Sequence, residues 1–256
     1  MFTRRFAAAV LAAGLAAACS KQEAPRQAPP ADAKRVDQSK ASKVGGRVSI
    51  EGQLPENPRL NLSGDPACDR AHKDGALAET FVGENSGLGN VFVYVKSGLD
   101  KYYFDVPTQP VTLDQSGCLY KPHVFGVRVG QNVEFVNNDP VAHNVHALPN
   151  ANQEFNFSQP IQRQKDSRFF TAPEVMVRIK CDVHGWMAAY AGVLDHPYFA
   201  VTTPEGRFEL KDVPAGTYTI EAWHEKLGTQ TQSVTIGEND SKDILFTFKV
   251  PNPTQP

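Results

Sequence analysis

The stretch "PEVMVRIKCDVHGWM", residues 173–187, joins a β-strand pattern to a group of side chains that bind soft metal ions. Aliphatic residues alternate from Val175 onward and Cys181 shares their parity, so we expect all of them to point into one interior. His184 and Met187 then follow Cys181 at three-residue intervals. Two sulfur atoms and an imidazole are a ligand set that suits copper.

The chain from residue 45 onward repeats this strand pattern and contains little helix signal. Short alternating runs such as "RVSIEG" (47–52) and "NVFVYVKSG" (90–98) are separated by Gly, Pro, Asn and Asp, which supply the turns. We therefore predict an all-β fold of sandwiches or barrels. Because about 210 residues exceed the most common size of a single domain, we expect two β-units.

The C-terminal stretch "FAVTTPEGRFELKDVPAGTYTIEAWH" (199–224) resembles the carboxypeptidase regulatory-like, or transthyretin-like, β-sandwich. That family opens with strands like the two runs quoted above. The resemblance implies one discontinuous sandwich, residues 45–100 and 196–250, interrupted by an inserted β-domain at 101–195. Two sequential domains that meet near residue 100 are the alternative.

Residues 111–195 resemble a cupredoxin, most closely amicyanin and then plastocyanin, in three motifs. The strand pair "VRVGQNVEF" (127–135) precedes "HNVH" (143–146), and the Cys-x-x-His-x-x-Met loop follows near the end of the domain. The resemblance implies a Greek-key sandwich that holds one blue-copper ion. Its implied ligands are His143, Cys181, His184 and Met187.

The resemblance also implies roles around this ion. The backbone N–H of Asn144 would donate to the Cys181 thiolate, and His184 would lie near the surface as the electron exit, beside Trp186 and Met187. With no coordination position left for a substrate, we expect an electron-transfer protein and not an enzyme. A copper carrier or storage module is one alternative. A carbohydrate- or protein-interaction module with structural copper is another.

Other interpretations of the cluster stay open. A metal-free structural turn would make the upstream "HN" a coincidence, and a Cys-His-His zinc site would not need Met187. His146 would face away from the cluster on a regular strand, and His72 is expected in a loop. A structural role is expected, with a second metal as the alternative, for His123, His146, His196 and His224.

The N-terminus is typical of a secretory signal, residues 1–18, with a basic start, a short apolar run and small residues before Cys19. The "LAAAC" ending resembles the bacterial lipoprotein signal, which implies lipidation of Cys19 and a membrane anchor; plain secretion is the alternative. By the same resemblance, Ser20 after the Cys implies sorting to the outer membrane, so we expect the protein on the periplasmic side. Residues 19–44 are rich in Pro, Ala and charge and are predicted to be a disordered tether.

The three remaining cysteines are Cys68, Cys118 and Cys181. In an oxidising compartment two of them should pair and one should stay free for another task. We expect a Cys68–Cys118 disulfide that joins the long loop of the outer domain to the inserted domain. Two unpaired thiols are the alternative.

The charge of the predicted folded part is acidic. Residues 45–256 contain 18 Lys and Arg against 25 Asp and Glu, a net charge of −7. Such a surface argues against nucleic acid and favours a basic partner. The expected partners are periplasmic redox proteins, namely a c-type cytochrome, a dehydrogenase or an oxidase.

Overall fold

The computed structural model describes residues 32–250, and their regular structure is almost entirely β-strand, which confirms the all-β prediction. Within this range one short α-helix and one turn of 3-10 helix, Gln38–Lys40, accompany sixteen strands. In chain order the elements are β1 (Ser42–Glu51), α1 (Pro66–Ala71), β2 (Phe92–Ser97), β3 (Val111–Gln115), β4 (Tyr120–Lys121), β5 (Val124–Arg128), β6 (Val133–Asn137), β7 (His143–Leu148), β8 (Phe155–Gln159), β9 (Lys165–Arg168), β10 (Glu174–Lys180), β11 (Ala188–Leu194), β12 (Phe199–Val201), β13 (Arg207–Val213), β14 (Gly216–His224), β15 (Gly228–Ile236) and β16 (Ser241–Lys249).

Seven strands from the two ends of this range form an outer sandwich. One sheet has the order β13-β1-β16, and the other has the order β12-β2-β14-β15. Side chains alternate between core and solvent, and in β1 the residues Val44, Val48 and Ile50 point into the core. β1 pairs with β13 in antiparallel and with β16 in parallel orientation, so distant parts of the chain share one sheet.

The nine strands in between, β3–β11, form an inserted sandwich with the sheet orders β4-β3-β6-β9 and β5-β11-β10-β7-β8. In β10, Val177 and Ile179 are fully buried and Arg178 between them is exposed, as the alternating pattern predicts. The ladder with β11 shifts register between Glu174 and Val177. Val175 packs between the two sandwiches instead of in this core, so the prediction for Val175 is wrong.

Two glycines allow the sandwiches to pack closely against each other. The Phe92 ring of the outer sandwich lies over Gly192 of β11, and the Phe199 ring lies over Gly126 of β5. A Cβ atom at Gly192 would lie 2.3 Å from the Phe92 ring, and one at Gly126 would lie 2.2 Å from the Phe199 ring. The outer sandwich therefore supports the inserted one through a tight aromatic contact.

Residues 52–91, which connect β1 to β2, form a capping segment that reaches across to the inserted sandwich. Cys68 in this segment forms the predicted disulfide with Cys118. The His72 ring also hydrogen-bonds to the Gly117 carbonyl at 2.6 Å. In the chain-entropy model a disulfide with a sequence separation of 50 stabilises the fold by about 4 kcal/mol.

The chain before β1 is ordered further than the tether prediction allows. Lys34 forms a β-bridge with Tyr102. The Lys34 carbonyl accepts the Tyr103 N–H at 2.9 Å, and the Lys40 carbonyl accepts the Asn239 N–H at 3.2 Å. The prediction of disorder up to residue 44 is therefore wrong for residues 34–44, because backbone pairing with the outer sandwich holds them.

Two further predictions, the signal at 1–18 and the lipid-bearing Cys19, lie outside the described residues. Among residues 32–250, no helix has the length and apolar character needed to cross a bilayer. The division into domains at 45–100 with 196–250 and at 101–195 stays a prediction.

Candidate metal centre

The loop between β10 and β11 brings the predicted sulfur and imidazole side chains together. Cys181 directly follows the last residue of β10, and its N–H donates to the Met187 carbonyl at 3.3 Å. The Met187 N–H in turn donates to the His184 carbonyl at 2.9 Å. These bonds close a compact turn in which Cys181 and Met187 are both 1% exposed.

His143 approaches this loop from the neighbouring strand, where it is the first residue of β7. Its Nδ1 lies 2.9 Å from the Nδ1 of His184. The His184 Nδ1 in turn lies 3.8 Å from the Cys181 Sγ. The donor atoms of His143, Cys181 and His184 all lie within 4.8 Å of one another, and all three side chains are buried. The structure thus brings three of the four predicted ligands to one point, with Met187 buried in the same loop.

These separations suit a single bound ion. In protein sites a small divalent metal lies about 2.0–2.1 Å from a histidine nitrogen and about 2.3 Å from a cysteine sulfur. Two donors that share such an ion are therefore about 3–4 Å apart, which matches the 2.9 Å between the two histidine nitrogens and the 3.8 Å between His184 and Cys181. A thiolate with two imidazoles and a nearby thioether is a donor set that copper prefers.

The surroundings of Cys181 favour its thiolate form. The Asn144 N–H points at the sulfur with a nitrogen–sulfur distance of 3.5 Å, as the cupredoxin resemblance implies. Burial alone would raise the pKa of the Cys181 thiol, but the hydrogen bond from His143 and the backbone N–H groups of Asn144, His184 and Val183 outweigh it. The pKa is therefore lowered from its usual value. A metal needs this deprotonated form.

Asp139 holds the outer nitrogen of His143. Its carboxylate lies 2.9 Å from His143 Nε2 and also accepts the N–H groups of Gly117 and Cys118, each at 2.7 Å. Burial opposes a charge on His143, yet Asp139 and the Cys181 sulfur outweigh burial and raise the pKa of His143 to about 9. Sequence reasoning missed Asp139, since its only signal is a position four residues before His143.

His184 is 2% exposed, so the prediction that it lies near the surface is wrong. The capping segment covers it: the His184 Nε2 lies 3.4 Å from Asp65 Oδ2 and 3.7 Å from the Cys68 Sγ. Trp186 is half-buried, and its ring centroid is 5.0 Å from that of His184. Burial, together with the neighbouring His143, lowers the pKa of His184.

The other histidines lie away from this cluster and have protein partners. The partners are Gly117 for His72, Glu225 for His123, Asp182 and Glu154 for His146, Tyr198 for His196, and Thr80 for His224. Within residues 32–250, the groups of potential metal ligands include none of these five histidines. The structure therefore offers no support for a second metal site at any of them.

Comparisons with known proteins give partial matches only. A copper-containing nitrite reductase from Thermus scotoductus SA-01 is 21% identical over 40% of this chain and 26% of its own, with a TM-score of 0.33. A variant of amicyanin in the reduced state is 24% identical over 35% of this chain and 86% of its own, with a TM-score of 0.30. A purple cupredoxin from Nitrosopumilus maritimus is 18% identical over 32% of this chain and 98% of its own, with a TM-score of 0.28.

The match therefore spans about a quarter of the nitrite reductase. The family model described as polysaccharide lyase family 4, domain II, matches residues 172–244, which include strands of both sandwiches. No curated protein sequence matches the chain significantly. The chemistry of this chain has to be inferred from its own geometry.

Proposed function

We propose that the inserted sandwich binds one copper ion and passes single electrons between redox partners, as blue-copper proteins do. The observation that carries this proposal is the buried convergence of His143 Nδ1, Cys181 Sγ and His184 Nδ1. Met187 would supply the weak axial donor. Copper, when bound, supplies a one-electron couple, and a trigonal His, His, Cys set with a distant Met is the arrangement typical of electron-transfer copper.

The chain's own residues would keep this donor set nearly unchanged during electron transfer. His143 is held by a strand, Cys181 and His184 by a short closed turn, and the Asn144 N–H supports the thiolate. A cage of this kind offers both oxidation states nearly the same geometry, so little reorganisation opposes the transfer. Since the proposed ligands leave no position for a substrate, we propose no catalytic reaction here.

The proposed setting is the periplasmic side of the outer membrane, with the protein anchored through a lipid on Cys19. The proposed partners are a c-type cytochrome, a dehydrogenase or an oxidase. A net charge of −7 on residues 45–256 would steer a partner with a basic docking surface, and this attraction weakens as salt is added. The same charge gives no reason to expect nucleic acid binding.

Titration of the metal-free protein with Cu(II) tests this proposal. One equivalent should produce intense absorption at about 600 nm, because one short copper–thiolate bond dominates such spectra. A reductant should bleach the band, and an oxidant should restore it without loss of copper. Only a pale, weak band, or a band that never returns after reduction, would refute the proposal. Zn(II) titration serves as the control, because zinc should bind without colour.

A copper carrier or storage module is the second candidate, and the burial of His184 favours it. An electron carrier needs a short path from copper to its partner, whereas the capping segment covers the expected exit. A carrier should lose its copper to a Cu(I) chelator soon after reduction. An electron-transfer protein should retain it through many cycles, and the half-buried Trp186 ring would then extend the path from His184.

A further inference from the structure

Two carboxylates approach the proposed ligand histidines from outside the donor cluster. Asp139 Oδ2 lies 2.9 Å from His143 Nε2, and Asp65 Oδ2 lies 3.4 Å from His184 Nε2. In both rings Nδ1 faces the donor cluster and Nε2 faces a carboxylate. The two rings thus have the same arrangement, although one carboxylate comes from the inserted sandwich and the other from the capping segment.

Asp139 is fixed by the backbone around it. Its Oδ1 accepts the Gly117 N–H and its Oδ2 accepts the Cys118 N–H, so both oxygens are anchored. The Asp139 N–H donates to the Asn137 side chain at 2.9 Å. With the residue 7% exposed, little water competes for the His143 N–H.

Asp65 is fixed in a similar way on the capping segment. It is the N-cap of α1, and its Oδ1 accepts the N–H groups of Ala67 and Cys68 at 2.7 Å and 3.3 Å. Oδ2 is left to face His184. The N–H groups of Cys68 and Cys118 therefore each bond one of the two carboxylates, and the disulfide links them.

We propose that Asp139 and Asp65 are positioning residues, which orient His143 and His184 and favour the oxidised form of the proposed copper ion. A carboxylate that accepts the Nε2 hydrogen leaves the Nδ1 lone pair free for a metal and makes the imidazole a stronger donor. Its negative charge also stabilises Cu(II) more than Cu(I). This inference rests on the proposed copper site, and it attributes part of that site's copper affinity and reduction potential to the two carboxylates.

The test compares Asp139→Asn, Asp139→Ala and Asp65→Asn in the full-length protein. Asp139→Asn removes the charge and keeps a hydrogen-bond acceptor, whereas Asp139→Ala removes both. We expect the Cu(II) dissociation constant to rise about 10- to 100-fold and the reduction potential to rise in every variant. The effect of Asp65→Asn should be the smallest because its contact is longer. Glu134→Gln is the matched control, since Glu134 pairs with the surface Lys165 at 2.8 Å and should leave both quantities unchanged.

A second readout needs no copper. In nitrogen-15 NMR spectra of the metal-free protein, the Nε2 hydrogen of His143 should be shifted downfield and slow to exchange. It should stay observable in Asp139→Asn and disappear in Asp139→Ala. An unchanged resonance in Asp139→Ala, or an unchanged copper affinity and potential in both Asp139 variants, would overturn the inference. Failure of the unaltered protein to form the blue band would instead refute the proposed function.

Discussion

Replacing Cys68 and Cys118 together by Ala removes the bond that fastens the capping segment over the proposed centre. The sequence separation of 50 corresponds to a loss of about 4 kcal/mol in the free energy of unfolding, mainly because the unfolded chain gains freedom. Urea unfolding of the metal-free protein measures this loss. For small proteins the free energy of unfolding falls by up to about 3 kcal/mol per M urea. The urea concentration at the midpoint of unfolding should therefore fall by more than about 1 M.

Cys181→Ala is the matched control for this variant. It removes one buried sulfur, at 1% exposure, where the double variant removes two, and it leaves the disulfide intact. Its free energy of unfolding should therefore change much less than that of the double variant. If the double variant loses less than about 1 kcal/mol, or no more than Cys181→Ala, the disulfide does not restrain the capping segment as described.

Three further substitutions test the centre and the contact between the sandwiches. Cys181→Ala should abolish the intense absorption of the copper-loaded protein, because the band requires the thiolate; optical and circular dichroism spectra measure the colour and the fold. Met187→Leu should keep the colour and raise the reduction potential in a redox titration, since a donor to Cu(II) is lost. Phe92→Ala should lower the free energy of unfolding by about 3–5 kcal/mol in urea, because it deletes a ring that is 0% exposed.

Cys181→Ala and Phe92→Ala each have a control, and all three substitutions have an outcome that would contradict the expectation. Val183→Ala is the control for Cys181→Ala. It changes the same loop at a residue that is 61% exposed, so it should leave the colour unchanged. An intense band that survives in Cys181→Ala would exclude Cys181 as a ligand. A fall in potential for Met187→Leu would contradict its axial role. Phe92→Leu should cost less than Phe92→Ala, and a loss below about 1 kcal/mol for Phe92→Ala would contradict the tight interface.

The all-β fold and the positions of the ligand candidates could be predicted from local sequence. Alternation from Val177 to Ile179 in β10 follows directly from the residues, and the three-residue spacing after Cys181 places His184 and Met187 in one short turn. His143 could be added because "HNVH" follows a strand pair in the way that the cupredoxin resemblance implies. These patterns are local, so they can be recognised without knowledge of the tertiary contacts.

The parts that could not be predicted depend on contacts between distant residues. The burial of His184 comes from the capping segment, whose irregular sequence has no periodicity that would indicate where it packs. Asp65 lies 119 residues before His184, and its local sequence predicts only a helix cap. Asp139 resembles any acidic residue in a turn until the fold brings it against His143. The order of residues 34–44 likewise depends on pairing with Tyr102 and on the strand mates of β1.

Diffraction from crystals of the copper-loaded protein, recorded on both sides of the copper absorption edge, tests the central claim most directly. We expect a single strong anomalous peak within bonding distance of His143 Nδ1, Cys181 Sγ and His184 Nδ1, with Met187 on one side of their plane. A peak elsewhere on the protein, with these three atoms bonded to no metal, would contradict it.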